Sequence, residues 1–400
     1  MSSIEIRQHT PGKDIEDFIR AAHVVFEGDP NFVAPLEFDL RQRLTPGKNP
    51  FFQRGELALF TAWKDGKLAG RISAQLDHEH LHRYNDRTGF FGFFDTIDDD
   101  EVGQKLMEAA EAWLKQRGMK AMRGPLSMTM YEEAGLLVDG FDMPAQLLMA
   151  HSRRWQGRVA ESTGLAKAKD LFAWRFDVGQ IPARAEKAWA EVKKMPEVKL
   201  RSVRPSRMHE ELEIIMRIFN DAWEQNWGHV PATPEEVKKT GEDLRLILDP
   251  EMAFIAEVDG KPVGMCIALP NVNEVIHDFN GKLNPITVAK LLWRLKIKRP
   301  KSARLMMLGI SKEMRNVRKY GYLSHALYVE VAKRGAARGY EWGELSWTLE
   351  DNRAINLGIK SMGAKVYKTY RVYEKPIAGA DVPATDIPAT NVPAQSKEPS

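Results

Sequence analysis

The alternation of apolar and polar positions divides the chain into short strands interleaved with amphipathic helices, and two segments of that pattern repeat. Residues 60–70 (FTAWKDGKLAG) align without gaps on residues 254–264 (FIAEVDGKPVG). Phe, Ala, Asp, Gly, Lys and a closing Gly recur at matching places. Each segment reads as strand, Asp-Gly turn, strand, because Asp-Gly supplies the two left-handed residues that a type I′ hairpin turn requires. Each hairpin is followed by a strand and then a helix ending on Arg-Gly: 89–97 then 101–118, and 304–310 then 324–339. The shared order predicts an internal duplication. The Asp-Gly turns and the Arg-Gly helix ends differ in offset, so the second copy holds about 27 extra residues after its hairpin.

The second copy predicts a strand at 199–205 and an amphipathic helix at 208–227. A further helix begins at Thr233-Pro-Glu-Glu236, where Thr233 caps, proline fits the first helical position and Glu236 completes a capping box. After the hairpin and the insertion come strand 304–310, helix 324–339, strand 342–347, helix 352–363 and strand 365–374. The fold class is therefore α/β, with tandem domains at 1–180 and 181–376. Each is expected to carry a mixed, mostly antiparallel sheet flanked by helices. From 377 the chain repeats DVPAT, DIPAT, NVPAQ. Proline every fifth residue removes the donors that helices and ladders need, so 377–400 is expected to be a disordered tail.

Composition narrows the class. At 400 residues the chain exceeds a single core, and 43% hydrophobic with 28% charged residues is ordinary for a globular protein. No run approaches the roughly 18 apolar residues of a membrane span. The opening MSSIEIRQHT lacks the basic and apolar stretches of a secretory signal. A single cysteine, Cys266, excludes an internal disulfide and any multi-cysteine metal site. The expected location is the cytoplasm, with peripheral contact at the inner face of the cytoplasmic membrane. A net charge of +3 is too small to imply nucleic acid. Its distribution says more: 95–101 is rich in acids, whereas 290–304 carries seven basic residues and no acid.

The order of elements resembles the GNAT superfamily of acyl-CoA-dependent N-acyltransferases. The resemblance implies that the loop and helix after strand 304–310 of the second copy cradle a pyrophosphate, on the pattern Gln or Arg, two residues, Gly, one residue, Gly or Ala. Backbone N–H groups and the helix N-terminus would then face the phosphates. Here the loop reads Arg318-Lys-Tyr-Gly321-Tyr-Leu323, with Arg315, Arg318 and Lys319 supplying charge. It departs from the pattern at Leu323, and a shift of one, 319–324, sets Tyr322 where Gly belongs. A basic loop capping an ordinary helix remains the other reading. The implied cofactor contacts are Leu308, Gly309, Arg315, Arg318, Lys319, Gly321 and Ser324, joined by Asn352 and Asn356. No permanently bound cofactor is expected; acyl-CoA or an acyl carrier protein thioester enters as co-substrate.

The strand-to-helix junction WTLEDNRAINLGIKSMGA follows the family layout, with Asn352 and Gly363 eleven apart. The resemblance implies that Asn352 supports the thioester arm, and that a Tyr seven residues later protonates the leaving thiolate. That position is Ile359, so another group supplies the proton or the thiolate leaves unassisted. Asn352 also suits a helix cap, and the two roles are compatible. In the first copy the equivalent helix opens on Asp98-Asp-Asp-Glu101. These carboxylates suit a helix dipole but repel a pyrophosphate. The first domain is therefore expected not to bind CoA, and instead to cover the second and shape the acceptor site.

Acylation of an amine needs a base, because the ammonium form is not nucleophilic. Candidates near the junction are Glu350, Asp351, Glu344 and His325; Glu133 and His151 are candidates from the first domain. The run Asp77-His-Glu-His80-Leu-His82 reads as a polar strand end rather than alternate histidines sharing a metal, and no metal ion is expected.

The insertion combines Leu291, Leu292, Trp293, Leu295 and Ile297 with Lys290, Arg294, Lys296, Lys298, Arg299 and Lys301. This pattern suits an anionic membrane surface or the acidic face of an acyl carrier protein; a solvated helix packed on the core is the alternative. Trp223, Asn226, Trp227, Trp293, Lys296 and Lys298 are the expected substrate or membrane contacts. The runs NPFF at 49–52, GFFGFF at 89–94, GLLVDGF at 135–141, NWG at 226–228 and ELSW at 344–347 carry a closer resemblance. They are similar to a branch of two-domain bacterial GNAT-like proteins that includes the bacterial ceramide synthases, over about residues 4–376. That implies an N-acyltransferase moving an acyl chain from a thioester to an amine, a sphingoid base, to give (dihydro)ceramide. Two rivals are an acetyl-CoA enzyme acting on a small polar amine and a non-catalytic module at the membrane surface.

Overall fold

The computed structural model describes residues 3–379; the repeat-bearing tail from 380 onward lies outside the described residues. The first copy contributes β1 (Ile4–His9), α1 (Glu16–Val25), β2 (Gly55–Lys64), β3 (Lys67–Asp77), β4 (Thr88–Thr96), α2 (Asp100–Lys115), β5 (Ala121–Gly124), β6 (Leu136–Asp139) and β7 (Ala166–Asp177). The second runs α3 (Ala183–Lys193), β8 (Val198–Ser202), α4 (Met208–Trp223), α5 (Pro234–Leu244), β9 (Ala253–Val258) and β10 (Lys261–Pro270). It continues with α6 (Pro285–Trp293), β11 (Ser302–Ile310), α7 (Leu323–Ala337), β12 (Trp342–Leu349), α8 (Arg353–Ser361) and β13 (Lys365–Pro376).

The repeated hairpins form as the turn chemistry demands. Asp65 and Gly66 have φ of 49° and 73°, and Asp259 and Gly260 have 49° and 76°. Both hairpins slip register at the equivalent place, after Ala62 and after Ala256. A bulge shared between copies is a stronger mark of duplication than the sequence match, because it bends both strands in the same way.

The strands join in one continuous sheet of order β1-β2-β3-β4-β5-β13-β7-β12-β11-β10-β9-β8, with β6 also paired to β13. Two neighbouring pairs are parallel, β4 with β5 and β11 with β12. The centre is an exchange. The last strand of the first copy, β7, pairs with β12 of the second, while β13 at the end of the second pairs with β5 of the first. Strands β7 and β13 then pair antiparallel with each other. Each copy thus completes its sheet with the other's final strand.

Helices α2 and α7 occupy equivalent positions against two separate cores. Leu106, Ala110 and Leu114 of α2 are fully buried in one, and Ala326, Leu327 and Val329 of α7 in the other. Helix α7 buries residues around most of its circumference because α3 covers its outer side, where Trp189 Nε1 donates to Glu330 at 2.8 Å and Lys333 pairs with Glu186 at 2.7 Å. The capping box of Thr233 and Glu236 forms at the start of α5 as read. Helix α4 stops at Trp223, short of the expected 227, because the chain turns through Gly228 at φ 71°. The histidine run is not a strand end. It forms a short helix, His78–Tyr84, capped by the Asp77 side chain, and His80 is buried against Asp86 at 3.2 Å. Helical periodicity leaves His78 and His82, four apart, on one face and turns His80 away from them.

Candidate functional site

Strands β11 and β12 run parallel in register only from Ser302↔Trp342 to Leu305↔Leu345. Beyond that they part. Strand β12 shifts register on β7 between Leu345 and Thr348, and β11 carries an extra residue against β10, where Ile267 pairs Met307 but Ala268 pairs Leu305. Met306 falls between these pairs as the bulged residue, which breaks the regular ladder and bends the strand there. The result is a fork in the sheet with a bulge on one arm.

A buried polar cluster lies at the fork. Arg304 and Glu344 are register partners, are 4% and 0% exposed on their side chains, and approach to 3.8 Å. Arg304 Nε donates to Ser346 Oγ at 2.8 Å, and Ser346 in turn donates to Glu344. The Tyr367 hydroxyl donates to the other Glu344 oxygen. Burial outweighs the guanidinium and holds the Glu344 carboxyl above the usual carboxylate range. Lys368, fully buried next to Tyr367, donates from Nζ to the carbonyls of Gly140 and Met143, each at 2.6 Å. Burial brings its pKa down to about 8. Arg304 Nη1 donates to Leu147 O at 2.6 Å. A loop of the first copy therefore closes over the fork of the second.

The loop after β11 is basic, but most of its cations are occupied. Arg315 donates to Ile310 O and Ala222 O, both at 2.8 Å, and ties the loop to the end of α4. Lys312 pairs with Glu224, and Lys319 with Glu197 at 2.6 Å. Arg318 and Gly321 are exposed in front of α7. That helix begins without any side-chain cap, so its first N–H groups, including that of Ser324, have no side-chain acceptor. The equivalent helix α2 differs. Its first turn is capped by Asp99, which accepts from Glu101 N and Val102 N at 3.0 and 3.1 Å. The parallel pair of the first copy also parts early, beyond Phe90↔Arg123, but there the backbone of Leu126 fills the gap. A Cβ at Gly92 would meet Leu126 O at 2.2 Å, and Gln75 Nε2 donates to that carbonyl at 2.6 Å.

At the β12–α8 junction Asn352 caps α8 by accepting from Ile355 N at 3.3 Å. Asn356 Nδ2 donates to Leu349 O at 2.9 Å, leaving its buried Oδ1 without a partner among the described residues. Glu350 is engaged by Lys167 at 2.7 Å and accepts from Asp170 N at 3.0 Å. Asp351 pairs with Lys169 at 2.6 Å, which keeps its carboxyl below the usual range. Glu133 pairs with Arg43 at 3.2 Å. His151 Nε2 meets Asp29 at 3.0 Å beneath the Phe26 and Phe32 rings, and burial lowers its pKa. His325 meets Ser361 at 3.3 Å. These candidates are held in separate ion pairs and hydrogen bonds; of the expected bases Glu344 lies in the buried cluster at the fork.

Leu308 and Gly309 lie on the outer arm of the fork. A Cβ at Gly309 would come within 2.5 Å of Trp223, whose ring stacks on Phe219 at 4.8 Å. The glycine is what lets α4 lie close against β11. Asn226 turns the chain after α4, with its N–H on Trp223 O at 2.8 Å. Trp227 is half-buried with Trp347 and has Arg123 5.0 Å over its ring. Trp293, Lys296 and Lys298 are exposed on the insertion. The sequence reading missed the assembly of Arg304, Ser346, Tyr367 and Lys368. The available signal was a charged residue at an inward position of an otherwise apolar strand, as in SARLMML at 302–308.

No family model matches the chain. It is 40% identical over 353 residues to the bacterial ceramide synthase of Caulobacter vibrioides, covering 87% of this chain and 91% of that protein. It is 37% identical over 375 residues to protein YghO of Escherichia coli, covering 93% and 95%. Among solved structures it resembles a tandem GNAT protein from the clavulanic acid biosynthesis pathway, with a TM-score of 0.57 at 12% identity over 94% of this chain and 99% of that one. A GCN5-related N-acetyltransferase from Sphaerobacter thermophilus gives a TM-score of 0.53 at 16% identity over 96% and 98%. These structures establish the tandem GNAT fold.

Proposed function

Because this chain belongs to the family of the bacterial ceramide synthase and is an acyltransferase of tandem GNAT fold, we propose that it transfers an acyl chain from a thioester to the amine of a sphingoid base, giving (dihydro)ceramide. The observation that carries this reading is the identity along nearly the whole of both chains. We divide the chain at 180/181 into two units, the second holding the thioester and the first closing over the acceptor.

In this reading the neutral amine attacks the thioester carbonyl at the fork. The C–N bond forms, the C–S bond breaks, and the nitrogen gives up a proton. Glu344 takes that proton through Ser346, supported by the hydrogen-bonded line from Arg304 to Ser346 to Glu344. The backbone N–H at the Met306 bulge serves the carbonyl oxygen as negative charge develops. Arg318, Gly321 and the uncapped start of α7 hold the phosphates of a CoA donor or of a carrier-protein arm. Asn352 shapes the start of α8, and the unpartnered Oδ1 of Asn356 accepts from an amide of the thioester arm. With Ile359 buried, the thiolate departs without a tyrosine there, as its pKa of about 8.5 permits. The first unit takes no second thioester; its capped α2 and the gap beside Gly92 filled by Leu126 support that.

The test is direct. Purified protein given palmitoyl-CoA or palmitoyl carrier protein with sphinganine should form N-palmitoyl sphinganine, detected by mass spectrometry. Amide formation from acetyl-CoA and a small polar amine, with none from sphinganine, would replace the lipid reading. Peripheral work at a membrane face fits a lipid acceptor; exposed Trp293, Lys296 and Lys298 support it.

A further inference from the structure

The insertion is not the only part of the surface that exposes large apolar side chains. Ile286 and Ile297 are 71% and 70% exposed, and Leu292 and Trp293 each 53%. Two distant segments join them. Phe38 is 63% exposed and follows Glu37, whose N–H donates to Gly281 O at 2.8 Å. Leu246 is 76% exposed and precedes Ile247, which packs in the same small core as Leu291 and Leu295 of the insertion. Of 283–297 only Thr287, Leu291, Arg294 and Leu295 are half-buried, with Leu291 and Leu295 against that core, so Ile286, Leu292, Trp293 and Ile297 stand out from it. Such a concentration of exposed apolar groups marks an interaction surface.

Charge identifies the partner. From 279 to 301 the sequence has no acid, and Lys282, Lys290, Lys296, Lys298 and Arg299 are exposed. Arg294 is bonded to Asp278, whose pKa it pulls to about 2, and Lys290 lies 3.7 Å from the same carboxylate. Helix α6 starts with a capping box at Asn284 and Thr287, so the segment is ordered without burying its outward face. Bulky apolar side chains standing beside lysines suit the headgroup boundary of an anionic bilayer, where each contributes in a different medium. The face also adjoins the fork. Leu147 packs both under the insertion and with Met306, Met307 and Trp223, and its carbonyl accepts from Arg304.

We propose that Phe38, Leu246 and the outward side of 283–297 form a single docking face for an anionic bilayer, which brings the fork to an amine resident in that bilayer. The bilayer contact stands on exposure and charge alone; the resident amine rests on the ceramide reading. Flotation with vesicles of phosphatidylcholine and phosphatidylglycerol, against phosphatidylcholine alone, tests it. The expected result is binding to the anionic vesicles that weakens with salt. Combined Phe38→Ser, Ile286→Ser and Ile297→Ser should reduce binding about tenfold or more. The same variant should keep wild-type turnover of sphinganine in detergent micelles and lose it for vesicle-embedded sphinganine. Wild-type protein that stays unbound, or a variant that floats like wild type, overturns the docking face. If the variant instead loses binding to acyl carrier protein while vesicle binding persists, the face belongs to the carrier and the proposal also fails. A protein inactive on sphinganine in every format but still floating would sink the ceramide reading and spare the docking face.

Discussion

At the scale of single residues, the site turns on groups whose chemistry is set by burial. Glu344 is an ordinary acid in sequence, yet desolvation raises its pKa and two hydroxyls fix its oxygens. A base must be ionised to work, so activity should fall as pH drops through that raised value, above the roughly 4.3 of a free glutamate. Glu344→Gln should abolish this acidic limb and lower kcat by about 100-fold or more, and should also lower the melting temperature because the buried Arg304 loses its counter-charge. A variant that retains the limb would remove Glu344 from proton transfer. Gly309 acts by absence. Gly309→Ala drives a methyl to within 2.5 Å of the Trp223 ring, an overpacking worth about 1–3 kcal/mol in a urea titration. Adding Trp223→Leu should recover most of that loss; no recovery would mean the glycine is needed for something other than helix clearance.

At the scale of elements, duplication supplies an internal control. Helices α2 and α7 descend from equivalent positions, yet Asp99 fills the N-terminus of one while the other is left open. The loop before α7 divides its cations in the same way. Lys319 is spent on Glu197, whereas Arg318 is exposed. Arg318→Ala should therefore raise KM for palmitoyl-CoA about tenfold, the loss of one charge-assisted phosphate contact. Lys319→Ala should change it far less, and initial rates across donor concentration separate the two. Equal effects would mean that Lys319 leaves Glu197 when the donor binds.

At the scale of the whole molecule, the exchange of β7 and β13 makes each half depend on the other. Residues 1–180 alone would present β5 without its partner, and 181–376 alone would present β12 without β7, each a bare edge in the middle of a core. Neither fragment expressed alone should give a cooperative thermal transition. The two co-expressed should co-purify and recover amide formation. Independent folding of either half, seen by circular dichroism, would show that the exchange is not required.

Much of this was legible in the chain itself. Asp-Gly turns, the Thr233 capping box, the Asn352 junction and the order of elements along the second copy are written in local chemistry, because turns and caps are decided by residues next to one another. The tandem plan followed from repetition of those local signals. The site was legible only in part. Leu308, Gly309 and the α7 loop could be named from the pattern, but Glu350, Asp351, Glu133 and His151 could not be known to be tied into ion pairs until distant lysines, Arg43 and Asp29 were brought beside them. Sequence by itself determined which elements form and that they form twice. Only the tertiary structure decided that the copies trade their last strands and that Arg304, Glu344 and Lys368 meet in a desolvated fork, because pairing register and burial depend on contacts between residues far apart in the chain.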